Sequence, residues 1–168
     1  MPTLMGVSVD VDVFDVDSMS SSYFDPESMS IVLSKNALKV AISGRTRKWT
    51  LDHELAHAVL HVYNRKLKRK LESVFGDLSE DAYEADGWDE FRSKLLGYDT
   101  DEYVTARATL CPEEDFAETC AYLSDAKGKI DPDLPEAVRE KLAVVKQCFS
   151  ELKQKVKKPK RKVKRKSR

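Results

Sequence analysis

Residues 49–63 read Trp49-Thr50-Leu51-Asp52-His53-Glu54-Leu55-Ala56-His57-Ala58-Val59-Leu60-His61-Val62-Tyr63. Leu55, Val59, Val62, Tyr63 and Leu67 recur at the interval of an α-helix with one apolar face. The spacing predicts a helix from Trp49 to Lys70. Thr50 is its expected N-cap, Asp52 and Glu54 fall in its first turn, and Arg65 to Lys70 lie where the dipole favours cations. His53 and His57 are four residues apart, so their imidazoles leave the same face ~6 Å apart along the axis. Both can reach one tetrahedral Zn²⁺ at ~2.0–2.1 Å. Glu54 follows the first of them. Its carboxylate can stand near a metal-activated water without being a ligand, take a proton and return it to a leaving amine. The spacing His-Glu-x-x-His therefore describes metal-assisted hydrolysis. All three histidines of the chain lie in this helix. His61 is eight residues from His53, ~12 Å along the same rigid helix, and cannot serve the same ion. The third ligand must then be a carboxylate or a thiolate.

A second stretch, Pro112-Glu113-Glu114-Asp115-Phe116-Ala117-Glu118-Thr119-Cys120-Ala121, supplies a carboxylate. Pro112 opens a helix that runs to about Asp125. Glu114 and Glu118 are four apart and share a face with Ala117 and Ala121, small residues that let another helix approach. Phe116, Thr119, Cys120 and Leu123 form a separate stripe for the core. This arrangement suits Glu114 as the third ligand and Glu118 as an acceptor for a ligand histidine N–H. Cys111 and Cys120 are the thiolate candidates, but Cys120 lies on the core stripe, where free cysteine is common. The acidic residues 77–90 lack the DxDxDG spacing of a calcium loop and read as solvated surface. Trp49 and Trp88 read as packing residues.

Outward from these helices, Val138, Leu142, Val145 and Phe149 mark a third helix from Pro135 to about Leu152. Residues 71–110 read as loops and short helices. Towards the N-terminus, Val7 to Val16 alternate with Asp10 and Asp12, which predicts a half-buried strand. Tyr23 to Leu33 reads as a second strand interrupted at Asp25-Pro26, and the pair suggests an antiparallel hairpin. The fold class expected is α+β: a small zincin-like domain over residues 1–152, with the hairpin or sheet packed on the histidine helix and the glutamate-bearing helix.

The chain has 168 residues, 41% hydrophobic and 35% charged, enough apolar content for the core of one domain. No apolar run approaches the ~20 residues of a membrane span. The first residues lack the basic start of a secretory signal. Three cysteines, none in a CxxC pair, read as reduced and point to an intracellular, cytoplasmic setting. The net charge of zero hides an asymmetry: residues 153–168 hold 11 Lys and Arg and no acid, leaving a net of −11 on the rest. This run should be disordered alone. Lys157, Lys158, Lys160, Arg161, Lys162, Lys164, Arg165 and Lys166 form a polybasic tract suited to non-specific nucleic acid or another anionic partner, in a nucleoid or a nucleus. Without aromatics it carries no base readout.

His53 to His57 together with Pro112 to Thr119 resemble the gluzincin type of zinc metallopeptidase, and most closely a group of zinc-binding metallopeptidases with a later PEEDFAE segment. Val74-Phe75-Gly76 and Tyr103-Val104 are similar to segments of that group as well, and the resemblance spans roughly Tyr23 to Leu123. It implies that His53, His57 and Glu114 bind zinc, that Glu54 is the general base and that Glu118 supports the site. It also implies a protein or peptide substrate. Such proteins often carry a tyrosine seven residues before the glutamate ligand, where its hydroxyl stabilises the tetrahedral intermediate. This chain has Arg107 there, which can serve an oxyanion through charged hydrogen bonds or lie on the surface; Tyr103, one helical turn away, is the substitute. Two other functions fit the same residues: a zincin-fold binding module delivered to a partner by the basic tail, and a hydrolase acting on a non-peptide amide.

Overall fold

A computed structural model describes residues 3–4, 7–14, 22–34, 47–78 and 101–157. The N-terminal part holds five short strands: β1 (Thr3–Leu4), β2 (Val7–Ser8), β3 (Asp10–Phe14), β4 (Tyr23–Asp25) and β5 (Ser30–Ser34). β1 and β2 pair antiparallel, and β3, β5 and β4 form a separate sheet in that order. The expected strand over Val7 to Val16 is thus divided, with β2 and β3 in different sheets.

The antiparallel hairpin lies within the stretch read as one interrupted strand. β4 and β5 pair antiparallel, Phe24 opposite Ile31, across the turn Pro26–Met29. Asp25 shapes this turn by accepting hydrogen bonds from the Glu27 amide and the Ser28 hydroxyl, and Met29 takes a positive φ of 54°. β3 and β5 are parallel, Val11 opposite Ile31, which corrects the expectation of an antiparallel pair. The tight turn claims one side of β5 for β4, so β3 lies along the other side. Val9, Val11, Ile31 and Leu33 turn towards the core, with Val9 and Ile31 buried, while Asp10 and Asp12 are exposed.

Helix α1 spans Arg47–Phe75 and is longer at both ends than expected. Thr50 is therefore not its N-cap, Asp52 and Glu54 are past its first turn, and Arg65 to Lys70 are not at its end. Two contacts draw the start back: Trp49 packs edge-on against Tyr122, ring centroids 6.3 Å apart, and Lys48 binds both Asp52 and Ser124. At the far end Leu67, Leu71 and Phe75 continue the buried stripe by one turn each. Gly76, with φ 89°, then ends the helix, its amide bonded to the Glu72 carbonyl.

A short 3₁₀ turn, Ala106–Thr109, precedes α2, Pro112–Asp125. Pro112 sits at the start of α2 as expected, and Glu113, Glu114 and Asp115 occupy its first turn. α3 spans Glu136–Lys157, one turn and more past the expected end at Leu152. Val138, Leu142, Val145, Cys148 and Leu152 form its buried stripe, with Phe149 half-buried beside it.

Phe116 is fully buried between the three helices, its ring edge-on to Phe75 at 5.8 Å; burial of a side chain of this size contributes ~1.5–3 kcal/mol. α1 and α2 share the most extensive packed face. Ala117 and Ala121 of α2 are fully buried. Small residues at this contact let two backbones approach, and that closeness brings the polar residues of the two helices together. Among the described residues, no helix is long and apolar enough to cross a membrane. The basic tract from Lys158 to Lys166, and Trp88 with most of the acidic stretch, lie outside the described residues; Lys157 ends α3.

Candidate metal centre

His53 and His57 leave α1 on the face that meets α2, and Glu114 meets them from the first turn of α2. Their donor atoms lie close together. His53 Nε2 lies 3.2 Å from His57 Nε2 and 3.3 Å from Glu114 Oε2, and His57 Nε2 lies 3.6 Å from Glu114 Oε1. A tetrahedral ion with ligand bonds of ~2.0–2.1 Å needs its donors ~3.3–3.4 Å apart. The two histidine nitrogens are already at that spacing, each has a Glu114 oxygen close to it, and one ligand atom from each of the three residues lies within 4.8 Å of the others. Two imidazole nitrogens and one carboxylate oxygen are a donor set zinc favours, and three protein ligands leave a fourth position open for chemistry. His53, His57 and Glu114 form a group able to hold a metal.

The surroundings hold the three groups in place. His53 is buried, and its Nδ1 stands 2.9 Å from Glu118 Oε1. This contact with Nδ1 leaves Nε2 on the side of Glu114. Thr105 Oγ1 donates to the other oxygen of Glu118 at 2.7 Å and also accepts from the Ala108 amide that opens the 3₁₀ turn. Arg107, in that turn, donates from Nε and Nη2 to the two oxygens of Glu114 at 2.5 and 3.2 Å.

Burial opposes charge on His53, but hydrogen bonds with Glu114 and Glu118 outweigh it and raise its pKa to about 9. Burial also works against the Glu114 carboxylate, yet His53, His57 and Arg107 hold it well below the usual range. Glu54 is buried and its pKa is raised, chiefly by desolvation, which makes its carboxylate a stronger base.

Other candidates fall elsewhere. His61 is exposed beside the Phe24 ring, one turn beyond the triad, as the spacing requires. Tyr103 lies under the Lys141 ammonium, 4.3 Å from ring centroid to Nζ. It lines a cavity of about 460 Å³ with Phe75, Cys111, Pro112, Asp115 and Lys141. Cys111, Cys120 and Cys148 are free and buried, and burial raises all three thiols.

The sequence reading missed Thr105 and Lys141. Thr105 two residues before Arg107 gave a weak capping signal. Lys141, from α3, donates to Asp115 Oδ2 at 2.6 Å and to the Glu102 carbonyl at 2.9 Å, and no local pattern marks such a contact.

A model of the family described as putative zinc-binding metallo-peptidase matches residues 34–132. The chain belongs to this family. The match takes in all of α1 and α2, the triad, Glu54, Arg107 and Glu118, and starts at Ser34, the last residue of β5. It starts later and ends later than the expected span of Tyr23 to Leu123. Zinc is the metal of the family, and the triad fits it on its own geometry. No curated protein and no solved structure matches the chain.

Removing the Glu118 carboxylate in Glu118→Ala is expected to weaken zinc binding ~10–100-fold, the usual cost of losing the partner of a ligand histidine. Thr105→Val should act in the same direction with a smaller effect. A competition titration against a coloured chelator measures both. Wild-type affinity in Glu118→Ala would show that His53 is oriented without it.

Proposed function

We propose that the protein is a zinc-dependent peptidase in which His53, His57 and Glu114 hold the metal and Glu54 is the general base. The observation that carries this reading is the cluster of His53, His57 and Glu114, one ligand atom from each within 4.8 Å of the others, with the buried Glu54 next to His53 in the chain. Bound zinc supplies Lewis acidity, bringing the pKa of a water towards ~7 and polarising a peptide carbonyl. Glu54 accepts the proton from that water and gives it to the leaving amine, a role its raised pKa favours. Glu118 and Thr105 keep the His53 ring turned to the site, and Arg107 keeps the Glu114 carboxylate between the two helices.

The purified chain should carry one zinc per molecule. It should cleave unstructured protein such as casein, lose that activity to 1,10-phenanthroline and regain it when zinc is returned. Zinc-free protein should also melt at lower temperature, because an ion that binds only the folded chain stabilises it. Absence of bound zinc at stoichiometric supply would end this reading. A zinc-loaded chain that cleaves no peptide would instead favour the second one, a zincin-fold binding module. That reading draws its support from Arg107, which stands where relatives often have tyrosine and is paired with a ligand carboxylate. The basic residues from Lys157 to Lys166 are proposed as a separate contact for nucleic acid or another anionic partner, on charge alone. Three free cysteines support an intracellular setting.

A further inference from the structure

Arg107 meets Glu114 side-on. Its Nε and Nη2 donate to the two carboxylate oxygens, which uses one edge of the planar guanidinium. Three of the five N–H donors remain, two on Nη1 and one on Nη2. They form the end-on edge, a second fork that fits a planar carboxylate with two parallel bonds. Among the described residues, the side-chain hydrogen bonds of Arg107 run to Glu114.

Exposure shows which groups a ligand meets. The side chains of His53, Glu114 and Glu118 are 3%, 7% and 1% exposed, against 19% for His57 and 32% for Arg107. Glu54 is buried too. The carboxylates of the site thus lie behind an imidazole and a guanidinium. The pairing with Glu114 also fixes the plane of the guanidinium, so little side-chain freedom is left to lose on binding. An oxyanion offers a single oxygen to such a fork, whereas a carboxylate fills both arms.

We propose that the end-on edge of Arg107 binds a carboxylate of the substrate, so that the site selects peptides with a negative charge close to the bond to be cut. The inference rests on the peptidase reading above and names its substrate class. The carboxylate is either the free C-terminus of a short peptide or an acidic side chain; both present the same two oxygens.

The test uses the zinc-loaded full chain carrying Glu54→Gln, which should bind peptides without turning them over. Calorimetry compares N-acetyl-Ala-Phe-Ala as free acid and as carboxamide, and N-acetyl-Ala-Phe-Glu-amide with its Gln counterpart. In at least one pair the charged peptide is expected to bind about tenfold more tightly. A preference in the first pair identifies the C-terminus, and one in the second the side chain. The guanidinium ¹⁵N resonances of Arg107 should shift with the charged peptide and stay still with the neutral one. Adding Arg107→Lys, which keeps the charge and loses the fork, should bring the preference below about threefold. Equal binding within both pairs, or a preference that leaves the Arg107 resonances unmoved, overturns the proposal while the peptidase reading stands. A zinc-loaded protein that neither binds these peptides nor, with Glu54 intact, cleaves any peptide overturns both.

Discussion

Glu54→Gln should lower kcat/KM for peptide hydrolysis by ~10²–10⁴ and leave the zinc content at one per chain. The substitution keeps the size and most hydrogen bonds of the side chain but removes its ability to take a proton. The loss corresponds to ~2.7–5.5 kcal/mol of transition-state stabilisation. Zinc should stay because the donor cluster consists of His53, His57 and Glu114, and Glu54 leaves the helix in another direction from both histidines. Metal analysis and a peptide assay on the same preparation check the two halves together. Hydrolysis within threefold of wild type would remove Glu54 from the chemistry, and loss of zinc would make it a ligand instead.

The second large effect is expected on stability. Lys141 and Asp115 are a buried pair, their side chains 11% and 4% exposed and 2.6 Å apart. Burial raises the pKa of Asp115 to about 6, and the hydrogen bond from Lys141 works against that rise. Lys141→Met leaves Asp115 buried without its cation and the Glu102 carbonyl without its donor. Removing one partner of a buried ion pair costs ~3–5 kcal/mol, which urea unfolding at pH 7 would show as a lower midpoint. Adding Asp115→Asn to that variant removes the stranded charge and should recover more than ~1 kcal/mol. A single-variant loss under ~1 kcal/mol, or no recovery in the double variant, would show that the pair does not tie α2 to α3.

The legible and illegible parts of this protein divide by range. The shared face of His53 and His57 is legible because a rigid helix turns sequence spacing directly into distance. Glu114 and Glu118 were readable for the same reason, helped by Pro112 at the helix start. Thr105 on Glu118 and Arg107 on Glu114 were not, because both depend on how residues 101–111 fold back across a helix boundary. Lys141 was out of reach, since it meets Asp115 from 26 residues away. The helix start at Thr50 had good local signals, but Lys48 and Trp49 gain partners on α2 that local signals do not contain. The parallel pairing of β3 with β5 likewise reflects which side of β5 was left once the Pro26–Met29 turn had placed β4.

The three buried thiols bear on how the centre would fare under peroxide or a similar oxidant. Attack by such agents begins at a thiolate and climbs from sulfenic to sulfonic acid. Burial keeps Cys111, Cys120 and Cys148 in the protonated, slow-reacting form. The donor group His53, His57 and Glu114 contains no sulfur at all, and imidazole nitrogen and carboxylate oxygen have no rung on that ladder. Oxidative stress that would strip a thiolate-bound metal therefore leaves these donors chemically intact.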